Sequence, residues 1–312
     1  MFSMLLALTL SFILSPIKPA LSVNDFRFPE IRHTLPLAEA KSPLAPVKKD
    51  AHRLGVETKS RAAAVVDWRT GTLLSGKDAE TAYPIASITK LMTALIVLSD
   101  IADRSMPVKI FADDLRPSGG SSLIQPDEEM TVDNLLHLTL VASSNDAAAA
   151  LARATGRSAT EFVAKMNATA RSFGMEDTIF VEPTGLDAND VASAKDVALL
   201  IRQALSSPVI KDIVAQKDYS FEALSGRKHF ARSTDNLLDS FLSKPPYTFL
   251  GGKTGSLQEA GYCFGAAAQD EEGHRLIAVV LGAPDKDTRF SEVKSLLFWG
   301  FDAFSWPAAS GK

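Results

Sequence analysis

The chain has 312 residues, with 33 basic against 37 acidic side chains, 46% hydrophobic and 22% charged content, and a single cysteine. At roughly 150 residues per domain this length allows about two domains or one large one, and the apolar share excludes a disordered chain. A formal charge of -4 with no long basic run leaves no footprint for nucleic acid, and one cysteine excludes an internal disulfide.

Met1 to Leu14 carries no charge, and Pro16, Pro19, Ala20 and Ser22 follow. Such a run is short for a membrane-spanning helix and fits the apolar core of a signal peptide, with Ala20-Leu21-Ser22 as a small-x-small cleavage site. No basic residue precedes the run and Lys18 lies near the cut, so a retained membrane anchor is the alternative. Residues 1–22 are therefore expected to be a signal peptide or anchor that exports the rest. Residues 23–57 hold Pro29, Pro36, Pro43 and Pro46 without sustained periodicity, which predicts an extended linker.

Ala62 to Trp68, the turn Arg69 to Thr72 and then Leu73 to Ser75 predict a β-hairpin, because two apolar runs flank a Gly-containing turn. Ile85 to Leu98 is apolar on nearly every face, the pattern of a helix buried all round. Asp127-Glu128-Glu129 predicts a solvated turn before a helix at Thr131, whose N-terminus favours acids. Helical patterns continue to Thr155, and Ser158…Glu161 and Ser193…Asp196 predict capping boxes opening two more helices. After Pro245-Pro246, strands are predicted over Tyr247–Gly255, Tyr262–Gln269 and His274–Ala283, with a turn at Asp270 to Gly273, and a last helix runs from Ser291 to Phe304. Strands at both ends around a helical middle predict an α/β (α+β) chain: one antiparallel sheet made from both chain ends, flanked by helices, with an inserted all-helical lobe. The expected catalytic unit is 58–305, with a tail at 306–312.

Three short segments carry chemistry. In Ser87-Ile88-Thr89-Lys90, residues three apart share a helix face, so the Lys90 amine can reach the Ser87 hydroxyl. Burial pushes such a lysine toward its neutral form, in which it accepts the serine proton. In Ser143-Ser144-Asn145 a second hydroxyl could relay a proton and an amide could hold Lys90 or a substrate carbonyl, although Ser and Asn equally suit a helix cap. In Gly251-Gly252-Lys253-Thr254-Gly255 the glycines allow close backbone approach on a strand, and Lys253 and Thr254 present a cation and a hydroxyl to an anion. The spacing of a phosphate-binding loop is not met there, since position 247 is Tyr. Each segment alone is common; the order Ser-x-x-Lys, Ser-x-Asn, Lys-Thr-Gly is the set of penicillin-binding proteins and class A β-lactamases.

Together with Ala64-Val65-Val66-Asp67, Tyr83-Pro84-Ile85-Ala86, Asp146-Ala147-Ala148 and Glu182-Pro183-Thr184-Gly185-Leu186, these motifs resemble the D-alanyl-D-alanine carboxypeptidase/endopeptidase family of low-molecular-mass penicillin-binding proteins, over about residues 58 to 305. The resemblance implies a serine-β-lactamase-like fold and a periplasmic serine D,D-peptidase that acts on peptidoglycan peptides through an acyl-enzyme and is inhibited by β-lactams. It implies Ser87 as nucleophile, Lys90 as general base, Ser143 and Asn145 in the proton network and substrate binding, Lys253 and Thr254 at the substrate carboxylate, and the backbone N–H groups of Ser87 and Ser256 around the oxyanion. No cofactor or metal is expected, and His33, His52, His137, His229 and His274 form no metal-spaced pair. Cys263 is expected to behave as a small buried hydrophobe. With no β-rich domain or amphipathic tail after Trp306, the expectation leans toward the endopeptidase branch. A β-lactamase, with Glu182 as a deacylating group, and a non-catalytic β-lactam- or peptidoglycan-binding module are the rivals.

Overall fold

The computed structural model describes residues 44–116 and 122–307; the expected signal peptide or anchor at 1–22 lies outside the described residues. In chain order the elements are β1 (Val47–Lys48), β2 (Ala62–Asp67), β3 (Leu73–Lys77), β4 (Tyr83–Pro84), α1 (Lys90–Asp100), β5 (Pro107–Lys109) and β6 (Glu129–Thr131). Next come α2 (Val132–Leu140), α3 (Asn145–Ala154), α4 (Ala159–Ser172), β7 (Val191–Ala192), α5 (Ala194–Ser206) and α6 (Pro208–Val214). The rest is β8 (Asp218–Glu222), β9 (Lys228–Arg232), β10 (Thr248–Leu257), β11 (Gly261–Gln269), β12 (Arg275–Ala283), α7 (Lys286–Ala303) and β13 (Phe304–Ser305).

Both chain ends build the main sheet, whose five strands run antiparallel in the order β10-β11-β12-β2-β3. The apolar runs of β2 and β12 are unbroken because both sheet faces are covered. On one face Ala64, Val66, Ile277 and Val279 pack under Val197 and Ile201 of α5; on the other Val65, Ala278 and Val280 pack under Val293, Leu297 and Phe301 of α7. Each Val, Leu, Ile or Phe side chain among these, fully buried, contributes roughly 1.5–3 kcal/mol. The α5-side cluster continues through Ile88, Met92 and Ile96 of the α1 region into Leu135, Leu138 and Leu151 of the inserted lobe, so α1 is the shared centre of sheet and lobe. The lobe is mainly helical rather than all-helical, since the ribbons β5–β6 and β8–β9 belong to it.

Several boundaries differ from expectation for identifiable reasons. Residues 44–57, expected to be linker, join the body: β1 pairs with β13, and the Trp299 indole donates to the Leu54 carbonyl at 2.9 Å. Trp306, expected to begin a tail, stacks on His274 and donates to Asp67. The capping box at Ser158 forms in full, but at Ser193 only half of it does, because the Asp196 carboxylate instead accepts from Asp177 N and the Thr178 hydroxyl at 2.8 Å each. Helix α7 starts at Lys286, ahead of Ser291, since Asp285 caps it by accepting from Asp287 N and Thr288 N. Glu128 does not lie in a solvated turn; it is 6% exposed and bonds Arg227 of the β8–β9 ribbon at 2.7 Å.

Candidate active site

Ser87 lies in a one-turn 3-10 segment, Ala86–Thr89, that leads directly into α1. Ala86 is held at φ 48°, a strained conformation for a residue with a side chain, and this aims the next residue at the seam between sheet and lobe. Lys90 opens α1 and is fully buried. Its Nζ lies 2.7 Å from Ser87 Oγ, 2.6 Å from Asn145 Oδ1 and 2.5 Å from the Thr184 carbonyl. Burial pulls the Lys90 pKa from its usual 10.5 down to about 7, against the opposing pull of the Glu182, Asp190 and Asp146 charges. The helix-face geometry expected for Ser87 and Lys90 is therefore present.

The lobe supplies the second group. Between α2 and α3 the two serines divide the roles weighed from sequence: Ser144 is the N-cap of α3, accepting from Ala147 N, and Ser143, at φ 60°, is turned into the cleft. Asn145 points its carbonyl oxygen at Lys90. Its neighbour Asp146 is buried and accepts from Arg116 N and from the Ser122 hydroxyl, fixing the start of α3. The Thr184 carbonyl is presented by a turn wound around Glu182, whose carboxylate accepts from the N–H groups of Thr184, Gly185 and Leu186 and from the Thr184 hydroxyl. Both Glu182 oxygens are occupied in this way, which disfavours Glu182 as the deacylating group of a β-lactamase. Gly185 is required there: at φ 78°, a Cβ would sit 2.0 Å from the Ala86 carbonyl oxygen.

The third group comes from β10, one of the two edge strands of the five-stranded sheet. Lys253 is buried, and its Nζ donates to Ser143 Oγ at 2.8 Å and to the Thr254 carbonyl at 3.1 Å. Its pKa is lowered well below the usual value by burial first, then by the charges of Lys90 and Arg289, with Asp235 opposing. The Thr254 hydroxyl pairs with that of Thr234 at 2.6 Å. Gly255 lets β10 approach the nucleophile, since a Cβ there would stand 2.5 Å from the Ile85 carbonyl and 3.3 Å from Ser87 N.

Ser87, Ser143, Thr254 and Ser256 line one cleft of about 370 Å³. Lys90, Asn145 and Lys253 stand behind the serines, in hydrogen-bond contact with Ser87, Lys90 and Ser143 respectively. All seven residues singled out from sequence thus converge. The cleft also contains Arg289 of α7, which the sequence reading missed. Arg289 is 5% exposed, donates from Nη1 to the Gly255 carbonyl at 2.9 Å and leaves Nε without a partner. A lone arginine in an amphipathic helix gives no sequence signal, because its burial depends on how α7 crosses β11.

Other expectations resolve outside the cleft. Cys263 is buried in β11, where burial pushes its thiol up to about 11. His137 and His229 bracket an aromatic stack with Tyr219 and Phe221. His274 groups with Asp270 and Glu272 in the β11–β12 turn, where it also bonds Asp270 at 2.9 Å.

A family model described as D-alanyl-D-alanine carboxypeptidase, of the S11 peptidases, matches residues 47–285. The chain is 31% identical over 269 residues to D-alanyl-D-alanine carboxypeptidase DacF of Bacillus subtilis, covering 84% of this chain and 68% of that protein. It is 32% identical over 259 residues to a D-alanyl-D-alanine endopeptidase of Pseudomonas aeruginosa, covering 82% and 81%. The crystal structure of penicillin-binding protein D2 from Listeria monocytogenes, in its cefotaxime-bound form, superposes with a TM-score of 0.69 at 30% identity over 80% of this chain and all of that one.

Proposed function

The chain belongs to the D-alanyl-D-alanine carboxypeptidase family of serine D,D-peptidases, and on that premise we propose that Ser87 is its acylated nucleophile, attacking the carbonyl of a D-alanyl residue in a peptidoglycan stem peptide. Neutral Lys90 accepts the Ser87 proton as Oγ bonds the carbonyl carbon. The oxyanion is held by the N–H groups of Ser87 and Ser256. The C–N bond then breaks, and the leaving amine takes a proton from the Ser143 hydroxyl, which is resupplied by Lys253. Protonation of Lys90 favours that second transfer, because its charge depresses the Lys253 pKa further. Water then adds its oxygen to the acyl carbon as the ester C–O bond breaks; Lys90 returns its proton to Ser87 Oγ, and of the two protons that water gives up one recharges Lys253 and the other is taken by the released amine, leaving carboxylate and ammonium products. Asn145 orients Lys90 and the substrate, and Thr254 with Arg289 binds the carboxylate of the leaving residue.

The observation that carries this reading is the contact of buried Lys90 with Ser87 at 2.7 Å: a pure binding module needs no lysine of depressed pKa against a serine. The uncharged N-terminal run supports export to the compartment that holds peptidoglycan, by cleavage or as a membrane tether. Among the described residues no helix is long and apolar enough to cross a membrane. β-Lactams are expected to acylate the same serine, as the cefotaxime-bound Listeria relative supports.

The test is incubation with a labelled penicillin, followed by intact-mass measurement of wild type and Ser87→Ala. A stoichiometric adduct on the wild type alone is expected. An unlabelled wild type, or an adduct that persists in Ser87→Ala, refutes the assignment.

A further inference from the structure

Lys90 can take the Ser87 proton only if its lone pair faces that hydroxyl. An ammonium carries three N–H donors, so the neutral amine keeps two and gains one lone pair. Asn145 Oδ1 at 2.6 Å and the Thr184 carbonyl at 2.5 Å take the two N–H groups, which leaves the lone pair to Ser87 Oγ at 2.7 Å. Asn145 is fixed at the start of α3, whereas Thr184 lies in a turn outside helix and strand. The direction of the lone pair therefore depends on what holds that turn.

The Thr93 hydroxyl of α1 steadies the Pro183 carbonyl at 2.6 Å, and Asp190 supplies the tie to the nucleophile. Asp190 is fully buried, one residue before β7. Its Oδ1 accepts from Val181 N at 2.6 Å and Glu182 N at 3.2 Å, where the chain enters the turn. Its own carbonyl accepts from Ile85 N at 3.0 Å, two residues before Ser87, and the pairing of Val191 with Pro84 and Ala192 with Tyr83 continues that attachment. One residue thus joins the turn, through its side chain, to the nucleophile segment, through its backbone. Its Oδ2 is buried without a hydrogen-bond partner, and so is the hydroxyl of Thr89, the residue before Lys90. A carboxamide would make the same Oδ1 contacts without leaving a buried carboxylate oxygen unsatisfied, so holding the turn does not by itself account for an acid at this position.

Resting on the peptidase reading above, we propose that Asp190 is a positioning residue for acylation: its carboxylate fixes the Thr184 carbonyl against Lys90 and so aims the Lys90 lone pair at Ser87, and its charge supports the lysinium that forms when Ser87 gives up its proton. The charged groups around Lys90 are Glu182 and Asp190 from the turn and Asp146 from α3, which favour its proton, and Lys253 from β10, whose own proton is disfavoured by it. A negative charge at Asp190 therefore moves the availability of the lone pair to higher pH.

The test measures acylation of the full chain by labelled penicillin from pH 5.5 to 9, for wild type, Asp190→Asn and Asp190→Ala, with penicillin concentration varied to separate the acylation rate constant from noncovalent affinity. Asp190→Asn keeps the Oδ1 acceptor and its amide N–H can donate to the Thr89 hydroxyl, so it should fold and reach a plateau rate within about threefold of wild type, with its pH midpoint below that of wild type. Asp190→Ala leaves the Val181 and Glu182 N–H groups without their acceptor and should lower the plateau at least about tenfold, with noncovalent affinity within about threefold. A residue that merely stabilised the fold would not move the midpoint. An Asp190→Asn midpoint at or above that of wild type overturns the proposal whether or not Asp190→Ala folds; so does an Asp190→Asn plateau as low as that of Asp190→Ala, or an Asp190→Ala plateau within about threefold of wild type. In each of these cases labelling of wild type at Ser87 leaves the peptidase reading standing. A wild type that penicillin does not label overturns both.

Discussion

The depressed pKa of Lys90 makes the pH dependence of acylation the most direct probe of the mechanism. With its pKa near 7, Lys90 is neutral in about 0.1 of molecules at pH 6 and about 0.9 at pH 8, whereas an ordinary lysine is neutral in only about 0.003 at pH 8. Burial therefore raises the reactive population roughly 300-fold at pH 8, for a charging penalty of roughly 4–5 kcal/mol. The acylation rate with penicillin should rise about tenfold from pH 6 to pH 8 and level off above, since neutral Lys90 is the acceptor. The same shift acts on stability with a definite sign. Between about pH 7 and 10.5 the unfolded chain keeps the lysine proton that folded Lys90 has lost, so this group makes stability increase with pH across that window. Lys90→Arg cannot be neutral and should acylate at least about 100-fold more slowly at pH 8. Stopped-flow acylation across pH 5.5 to 9 reads both effects. A flat or falling profile, or a Lys90→Arg variant within tenfold of wild type, would refute the assignment of Lys90 as base.

Other outcomes follow from neighbouring groups. Glu182→Gln removes the largest charge that supports protonated Lys90, so its acylation midpoint should move below that of wild type. The variant should also melt earlier, because one amide oxygen cannot replace two carboxylate oxygens on the 182–186 turn, a loss of about 1–3 kcal/mol readable by calorimetry. Gly255→Ala should slow acylation more than about tenfold, because its Cβ would force β10 away from Ile85 and Ser87; a crystal structure with an unshifted strand would refute this account. Burial raises the Asp235 pKa to about 7, and its Oδ2 has no partner. Ionised Asp235 therefore lowers stability progressively as pH rises from about 4 to 7, and Asp235→Asn should gain melting temperature over wild type at pH 8 but not at pH 4.5.

The legible part of this molecule is the part encoded by local spacing. Ser87 and Lys90 fall on one helix face at any burial, and Gly251 to Gly255 announces a strand that something must approach closely. The β2–β3 and β11–β12 pairs were readable because each joins apolar runs through a Gly-containing turn. Ribbon β8–β9 was missed although Asp218–Glu222 and Lys228–Arg232 alternate with period two around Ser225-Gly226; the surrounding helical patterns outweighed two short strands. Glu128 and Arg289 show the opposite limit. Both are charged side chains that sequence statistics place in water, and only their partners, Arg227 and the Gly255 carbonyl, bring them inside. The tight attachment of 44–57 was hidden for the same reason, since β1 pairs with a strand more than 250 residues away.

The cleft is constructed around two buried lysines whose positive charge is penalised. Lys90 and Lys253 are both fully buried, and the charge of Lys90 together with that of Arg289 lowers the Lys253 pKa further. Adding a proton to Lys90 therefore makes Lys253 a better donor, and Ser143, 2.8 Å from Lys253, stands where that proton can leave. The acids nearest these lysines supply limited compensation: Glu182 and Asp146 are committed to the backbone and hydroxyl groups of their turns, and burial raises Asp190 to about 7. Removing Glu182 and removing Asp235 should consequently act on different steps, the first on acceptance of the Ser87 proton by Lys90 and the second on resupply of the Ser143 proton by Lys253. On the proposed reading substrate acts on the same balance, because a carboxylate bound at Arg289 offsets part of the charge that depresses Lys253 and so favours the protonated donor that departure of the amine requires.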